Sequence, residues 1–145
     1  MTYWRLFYHF AWGTKNRVET INEQRFEIAR GTFAAVCTSH DVLIHAIGWM
    51  PDHIHLAVSI PPKVAIADVA QQLKGTSSFR INEAGGDTFA WQPGYGVVSF
   101  NERLLPTVIE YIEHQREHHA RKSLIPALER LHIPETPKPS GRQIP

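Results

Sequence analysis

Residues 42–60, "VLIHAIGWMPDHIHLAVSI", constrain the fold more than any other stretch of the chain. Two apolar, β-branched runs, Val42 to Met50 and Ile54 to Ile60, are separated by little more than a Pro-Asp turn. The pattern predicts two strands in immediate succession. Strand side chains alternate between faces, so Ile54, Leu56, Val58 and Ile60 share one side, as core residues would. His53 and His55 share the other, followed by Ala57 and Ser59. Two imidazoles on one strand face either hold a metal or sit at a wet strand end.

The elements around this pair fix the topology. Tyr3 to Trp12 alternates, with Leu6, Tyr8, Phe10 and Trp12 on one face, and reads as a first strand. Asn22 caps a helix reaching about His40, and Ile66 to about Ala84 forms a second helix. Val97 to Phe100 is a short fourth strand, and a last helix runs from Pro106 to about Lys122. The order β-α-β-β-α-β predicts an α+β fold, the ferredoxin-like split βαβ, with one additional C-terminal helix. Such a sheet carries two helices on one face, and the extra helix is expected across the other, where His53 and His55 point. Residues 1–122 are expected to form one domain. Residues 123–145, rich in Pro and polar residues, are expected to be an extended or partly disordered tail.

Length and composition agree with one domain: 145 residues, 43% hydrophobic and 20% charged. A formal charge of +1 leaves nucleic-acid binding undecided, since a basic patch can lie within a balanced total. No apolar run approaches transmembrane length and no signal peptide opens the chain, so the expected location is cytoplasmic, with no membrane partner. Cys37 is the single cysteine and falls in the helical stripe of Phe26, Ala29, Phe33 and Val36, which predicts core packing.

The last helix, "PTVIEYIEHQREHHARK", carries Val108, Ile109 and Ile112 as its apolar stripe. Tyr111 and Gln115 lie four apart along its edge. Alone, that pair describes a packed tyrosine beside a surface glutamine, and His114, His118 and His119 a helix end tolerant of cations. Together with His53 and His55 the pair gains meaning. Two imidazoles need a further ligand, a glutamine carbonyl oxygen suits a hard divalent cation, and a tyrosine one turn away stands near what that cation polarises.

These residues resemble the single-tyrosine HUH transposases of the IS200/IS605 type, including the REP-associated tyrosine transposases. "PDHIHLAV" matches the His-hydrophobic-His motif and "YIEHQ" the tyrosine element. "YHFAWGTKNR", "LKGTSSFRIN", "WQPGYGVVSF" and "HQREHH" follow the same order, over roughly residues 3–120. The resemblance implies His53, His55 and Gln115 as ligands of Mg²⁺ or Mn²⁺ and Tyr111 as nucleophile. The ligand set alone would also admit Zn²⁺. It implies cleavage and rejoining of single-stranded DNA near hairpins through a 5′-phosphotyrosine, a homodimer, and no small-molecule cofactor. Lys15, Arg17, Lys74, Ser77, Arg80, Tyr95 and Arg116 are the expected DNA contacts, with Trp91 and Tyr95 as stacking surfaces. His114 stands where the family commonly has Asn. Asp52 reads as a turn residue with its side chain opposite His53.

Two other readings remain at this point. A hairpin-binding DNA or RNA protein without cleavage would share the fold. A small zinc hydrolase would need a third His or a carboxylate ligand, and none stands at suitable spacing.

Overall fold

Strand β1 (Phe7–Gly13), strand β2 (Leu43–Met50), strand β3 (His53–Ser59) and strand β4 (Gly96–Phe100) form one antiparallel sheet in the order β2-β3-β1-β4. This is the ferredoxin-like order expected from the sequence. The computed structural model describes residues 2–85 and 88–131. Every residue of β3 is buried, because the strand is interior and both of its faces are covered.

Helices α1 (Glu23–Ser39) and α2 (Ile66–Gly85) cover the first face. The Asn22 side chain accepts the Arg25 N–H at 2.8 Å and so caps α1. Beneath them, Phe10, Trp12, Ile54, Leu56 and Val58 meet Phe33, Val36, Val69 and Leu73 in the main core. Cys37 belongs to it, 1% exposed, and burial pushes its thiol up to about 11. That makes it an inert core residue.

Helix α3 (Leu105–Glu113) lies on the opposite face, where Val108 and Ile112 pack on Ala46 and Ala57. A bulge at His45 shifts the register of β2 and sets Ala46 opposite Ala57 and Gly48 opposite His55. The close seat depends on that shift. A Cβ on Gly48 would overlap the Ile112 backbone carbonyl, so only glycine lets α3 come this near.

Three boundaries differ from the sequence expectation. β1 begins at Phe7 rather than Tyr3, so Leu6 lies outside it. The last helix is not continuous: it breaks at His114 (φ −112°, ψ 33°), and α4 (Gln115–Arg121) follows. Residues 123–131 are not extended. Lys122 adopts a left-handed conformation (φ 56°, ψ 28°) that ends α4, and the chain turns into the short helix α5 (Pro126–Glu129). Leu128 and Leu131 are buried, and the Gln92 side chain donates to the Leu131 carbonyl at 3.1 Å. The expectation for residues 132–145 lies outside the described residues.

Two glycine substitutions separate local from tertiary effects. Gly31, inside α1, has open space where a Cβ would stand. Gly31→Ala is expected to stabilise the fold by roughly 0.5–1 kcal/mol. Gly48→Ala is expected to destabilise it by about 1–3 kcal/mol through the forced retreat of α3. Urea unfolding of the two variants measures both signs.

Candidate functional site

The row of residues facing α3 and α5 across the sheet runs Gly48, His55, Ala11, Gly96, one from each strand. Only His55 in that row is large. A Cβ on Gly96 would overlap the Arg130 carbonyl, just as one on Gly48 would overlap Ile112. The two glycines let α3 and the 125–131 segment approach from either side, enclosing the imidazoles between them.

His53 and His55 are 3% and 0% exposed, with rings 5.0 Å apart. Each is held through its Nδ1. His53 Nδ1 lies 2.6 Å from Asp52 Oδ1, and His55 Nδ1 lies 2.9 Å from His9 Nε2. These contacts turn both Nε2 atoms to one side, where they are buried without a hydrogen bond. Orphaned buried nitrogens of this kind need a partner. Asp52 therefore does not point away from His53, as its place in the turn suggested. Arg17 Nη2 holds the other Asp52 oxygen at 2.8 Å. Burial would raise the Asp52 carboxyl, but the bonds and charges of His53 and Arg17 outweigh it and hold the pKa below the ordinary value. Burial, then the neighbouring His55, pushes His53 down. Burial and His55 bring His9 down to about 3. Neutral imidazoles are the form that binds metals.

Facing these nitrogens are His119 of α4 and Glu129 of α5. Glu129 Oε2 is 3.1 Å from His55 Nε2, and Glu129 Oε1 is 2.9 Å from His119 Nε2 and 3.8 Å from His53 Nε2. One donor atom from each of the four residues lies within 4.8 Å of the others. Burial would raise the Glu129 carboxyl, but the three histidines keep it below its ordinary value, so it is anionic. The donor set fits a divalent cation.

Tyr111 and Gln115 complete the surroundings. The Tyr111 ring stands edge-on to His55, with centroids 6.1 Å apart, and its hydroxyl accepts the Ile125 N–H at 3.1 Å. The phenol is 1% exposed, and its pKa is raised, chiefly by burial. Gln115 Nε2 donates to the Tyr111 carbonyl at 2.9 Å, the acceptor that an unbroken helix would give to the Gln115 backbone N–H. Its Oε1 meets His119 Nε2 at 3.1 Å. The break at His114 thus turns the glutamine side chain into the link between the tyrosine and the histidine cluster. His114 is itself outside that cluster, exposed, with Nδ1 against the Glu110 carbonyl at 3.0 Å.

The expected DNA contacts divide. Lys15 and Arg80 are exposed. Arg116 is exposed and stacks on Trp49 at 4.6 Å. Arg17 belongs to the layer behind His53. Lys74 donates to the Gln92 carbonyl at 2.8 Å and to that of Gly94, fastening the loop before β4. Ser77 is fully buried and accepts from Trp91 Nε1 at 2.9 Å. Tyr95 is half-buried against Phe10, and Trp91 is buried, which leaves little of its ring for stacking on bases.

Sequence reasoning missed His9, His119 and Glu129 as members of one site. For His9 the signal was available, because alternation places it opposite Phe10 and on the face of His55. For Glu129 it was the apolar spacing of Leu128 and Leu131 behind Pro126.

Removing an outer partner of a metal-binding histidine weakens metal affinity about 10–100-fold. Asp52→Ala is expected to weaken Mn²⁺ binding on that scale in a calorimetric titration. An unchanged affinity would place Asp52 outside the site's function.

The sequence profile described as "Transposase IS200 like" matches residues 2–115. The ISDra2 transposase TnpA of Deinococcus radiodurans is 27% identical over 123 residues, 79% of this chain and 86% of its own length. The transposase for insertion sequence element IS200 of Salmonella typhimurium is 28% identical over 123 residues, 80% of each. A crystal structure described as that of a transposase from Deinococcus radiodurans R1 superposes with a TM-score of 0.64 at 26% identity, over 79% of this chain and 95% of that one. A REP-associated tyrosine transposase bound to a REP hairpin superposes with a TM-score of 0.64 over 99% of each chain. Its identity of 16% makes that a likeness of fold. With the profile spanning well over half of its residues, the chain belongs to the IS200-like transposase family.

Proposed function

We propose that this transposase cuts and rejoins single-stranded DNA near hairpin ends, with Tyr111 as nucleophile and a divalent cation, Mg²⁺ or Mn²⁺, held by His53, His55 and Gln115. The observation that carries this reading is the meeting of Tyr111 with the two-histidine strand. The phenol ring lies against His55, and Gln115 ties its backbone to the histidine cluster.

A bound divalent cation would supply charge withdrawal from a non-bridging phosphate oxygen. The protein's own part begins with the phenol. Its oxygen forms a bond to phosphorus while the bond from phosphorus to the 3′-oxygen breaks. The products are a 5′-phosphotyrosine and a 3′-OH, and the phenolic proton is balanced by the proton gained at the departing oxygen. The phosphodiester's energy is kept in the tyrosyl ester, so attack by a 3′-OH reseals the strand. A buried phenol with a raised pKa is a poor nucleophile until its surroundings change. In this reading DNA reaches that oxygen once residues 123–131 move aside, since Tyr111 is almost fully buried and its hydroxyl accepts the Ile125 N–H.

Lys15, Arg80 and Arg116 are among the exposed cations available to phosphates, and hairpin DNA is the proposed partner. Within one chain Tyr111 lies against His55 and Gln115 meets His119, and a homodimer is the assembly proposed with this reading.

Incubating the protein with labelled single strands from the DNA flanking its gene, with Mn²⁺ or Mg²⁺, tests the reading on a denaturing gel. A metal-dependent covalent adduct is expected, and Tyr111→Phe should abolish it while retaining hairpin binding. Hairpin binding without adduct in both metals would overturn the reading in favour of a binder that does not cut.

A further inference from the structure

Three observations at the histidine cluster go beyond the proposed reaction. His119 and Glu129 face His53 and His55 more closely than Gln115 is shown to. The two Nε2 atoms of β3 and both Glu129 oxygens are buried and lack hydrogen bonds. The segment carrying Glu129 is fastened by buried Leu128 and Leu131, by the Gln92 bond and by the close seat at Gly96. A carboxylate held by four anchors among three imidazoles is not a loosely placed surface acid.

We propose that His53, His55, His119 and Glu129 form a closed four-ligand centre for a zinc-class divalent cation. Three imidazole nitrogens and one carboxylate oxygen are a donor set that suits Zn²⁺ and disfavours Mg²⁺, which prefers oxygen ligands in an octahedron. Zinc bonds of about 2.0–2.2 Å in a tetrahedron put ligand atoms about 3.3–3.6 Å apart. Glu129 Oε1 lies 2.9 Å from His119 Nε2 and 3.8 Å from His53 Nε2, Oε2 lies 3.1 Å from His55 Nε2, and one donor atom from each of the four lies within 4.8 Å of the others, so the four would draw together slightly on such an ion. The layer behind is also in place, with Asp52 on His53 Nδ1 and His9 on His55 Nδ1. This centre shares His53 and His55 with the proposed reaction but differs from it in ligands and in openness. A tetrahedral ion bound by all four has no position left for a phosphate oxygen, so DNA would have to displace Glu129.

Titrating the full chain with Co²⁺ as a stand-in for zinc tests the centre without DNA. Intense visible bands of four-coordinate cobalt are expected, bleached by stoichiometric Zn²⁺. Losing a ligand is expected to cost at least as much as losing a ligand's partner, so Glu129→Gln and His119→Gln should each weaken binding by about tenfold or more. Both should also lose the four-coordinate bands. Gly96→Ala retains all four ligands but pushes the Arg130 backbone outward, and it should lose the same bands. It decides the matter if a ligand variant fails to fold by circular dichroism. Weak six-coordinate bands in the unaltered protein, or cobalt binding unchanged in all three variants, would overturn the proposal. Neither result bears on the Tyr111 adduct. A missing adduct, in turn, leaves the cobalt spectrum standing.

Discussion

The site depends on how near two backbones come to a single row of the sheet. A sheet face ordinarily keeps a sheet stacked on it about 10 Å away, the thickness of two layers of side chains. Here the row through His55 offers glycine, histidine, alanine and glycine, so α3 sits directly on β2 and the Arg130 carbonyl directly on β4. Tyr111 and Glu129 are carried by those two approaching segments. With bulky residues at the row's ends, both would stand a side chain's width further out, and His55 would face solvent instead of a phenol and a carboxylate.

Close approach brings an obligation. Burying imidazoles and a carboxylate together is unfavourable unless each polar atom has a partner. The outward-turned nitrogens are satisfied by Asp52 and His9, and Arg17 in turn neutralises Asp52. The inward-turned ones face one another and Glu129, a group that could hold a cation. The lowered pKa values of His53 and His9 follow from the same burial, which favours the neutral form of those two rings.

The sequence announced the sheet more completely than the site. Period-two alternation identified the faces of β1 and β3, because burial on one side of a strand writes itself into every second residue. It could not reveal the His45 bulge, which sets Gly48 opposite His55, since a single extra residue leaves no trace in an apolar run. The break at His114 was hidden for a related reason: "YIEHQREHH" has good helical residues throughout, and the interruption is stabilised by a side-chain amide replacing a backbone donor. In "KGTSS", Lys74 and Ser77 also serve the loop before β4, a tertiary use that residue type alone does not disclose. Glu129 was lost inside a segment judged by its proline and polar content, although Leu128 and Leu131 anchor it.

The left-handed turn at Lys122 has a consequence for exchange at the site. His119 and Glu129 are only ten positions apart along the chain, on either side of that reversal. When Glu129 leaves the histidines it therefore stays tethered nearby, at an effective concentration on the order of millimolar for a short flexible connection. Any external anion arriving there competes with an internal one that never diffuses away. An isolated phosphate group must meet that local concentration by its own affinity. A polyanion gripped elsewhere on the protein would meet it by being tethered too.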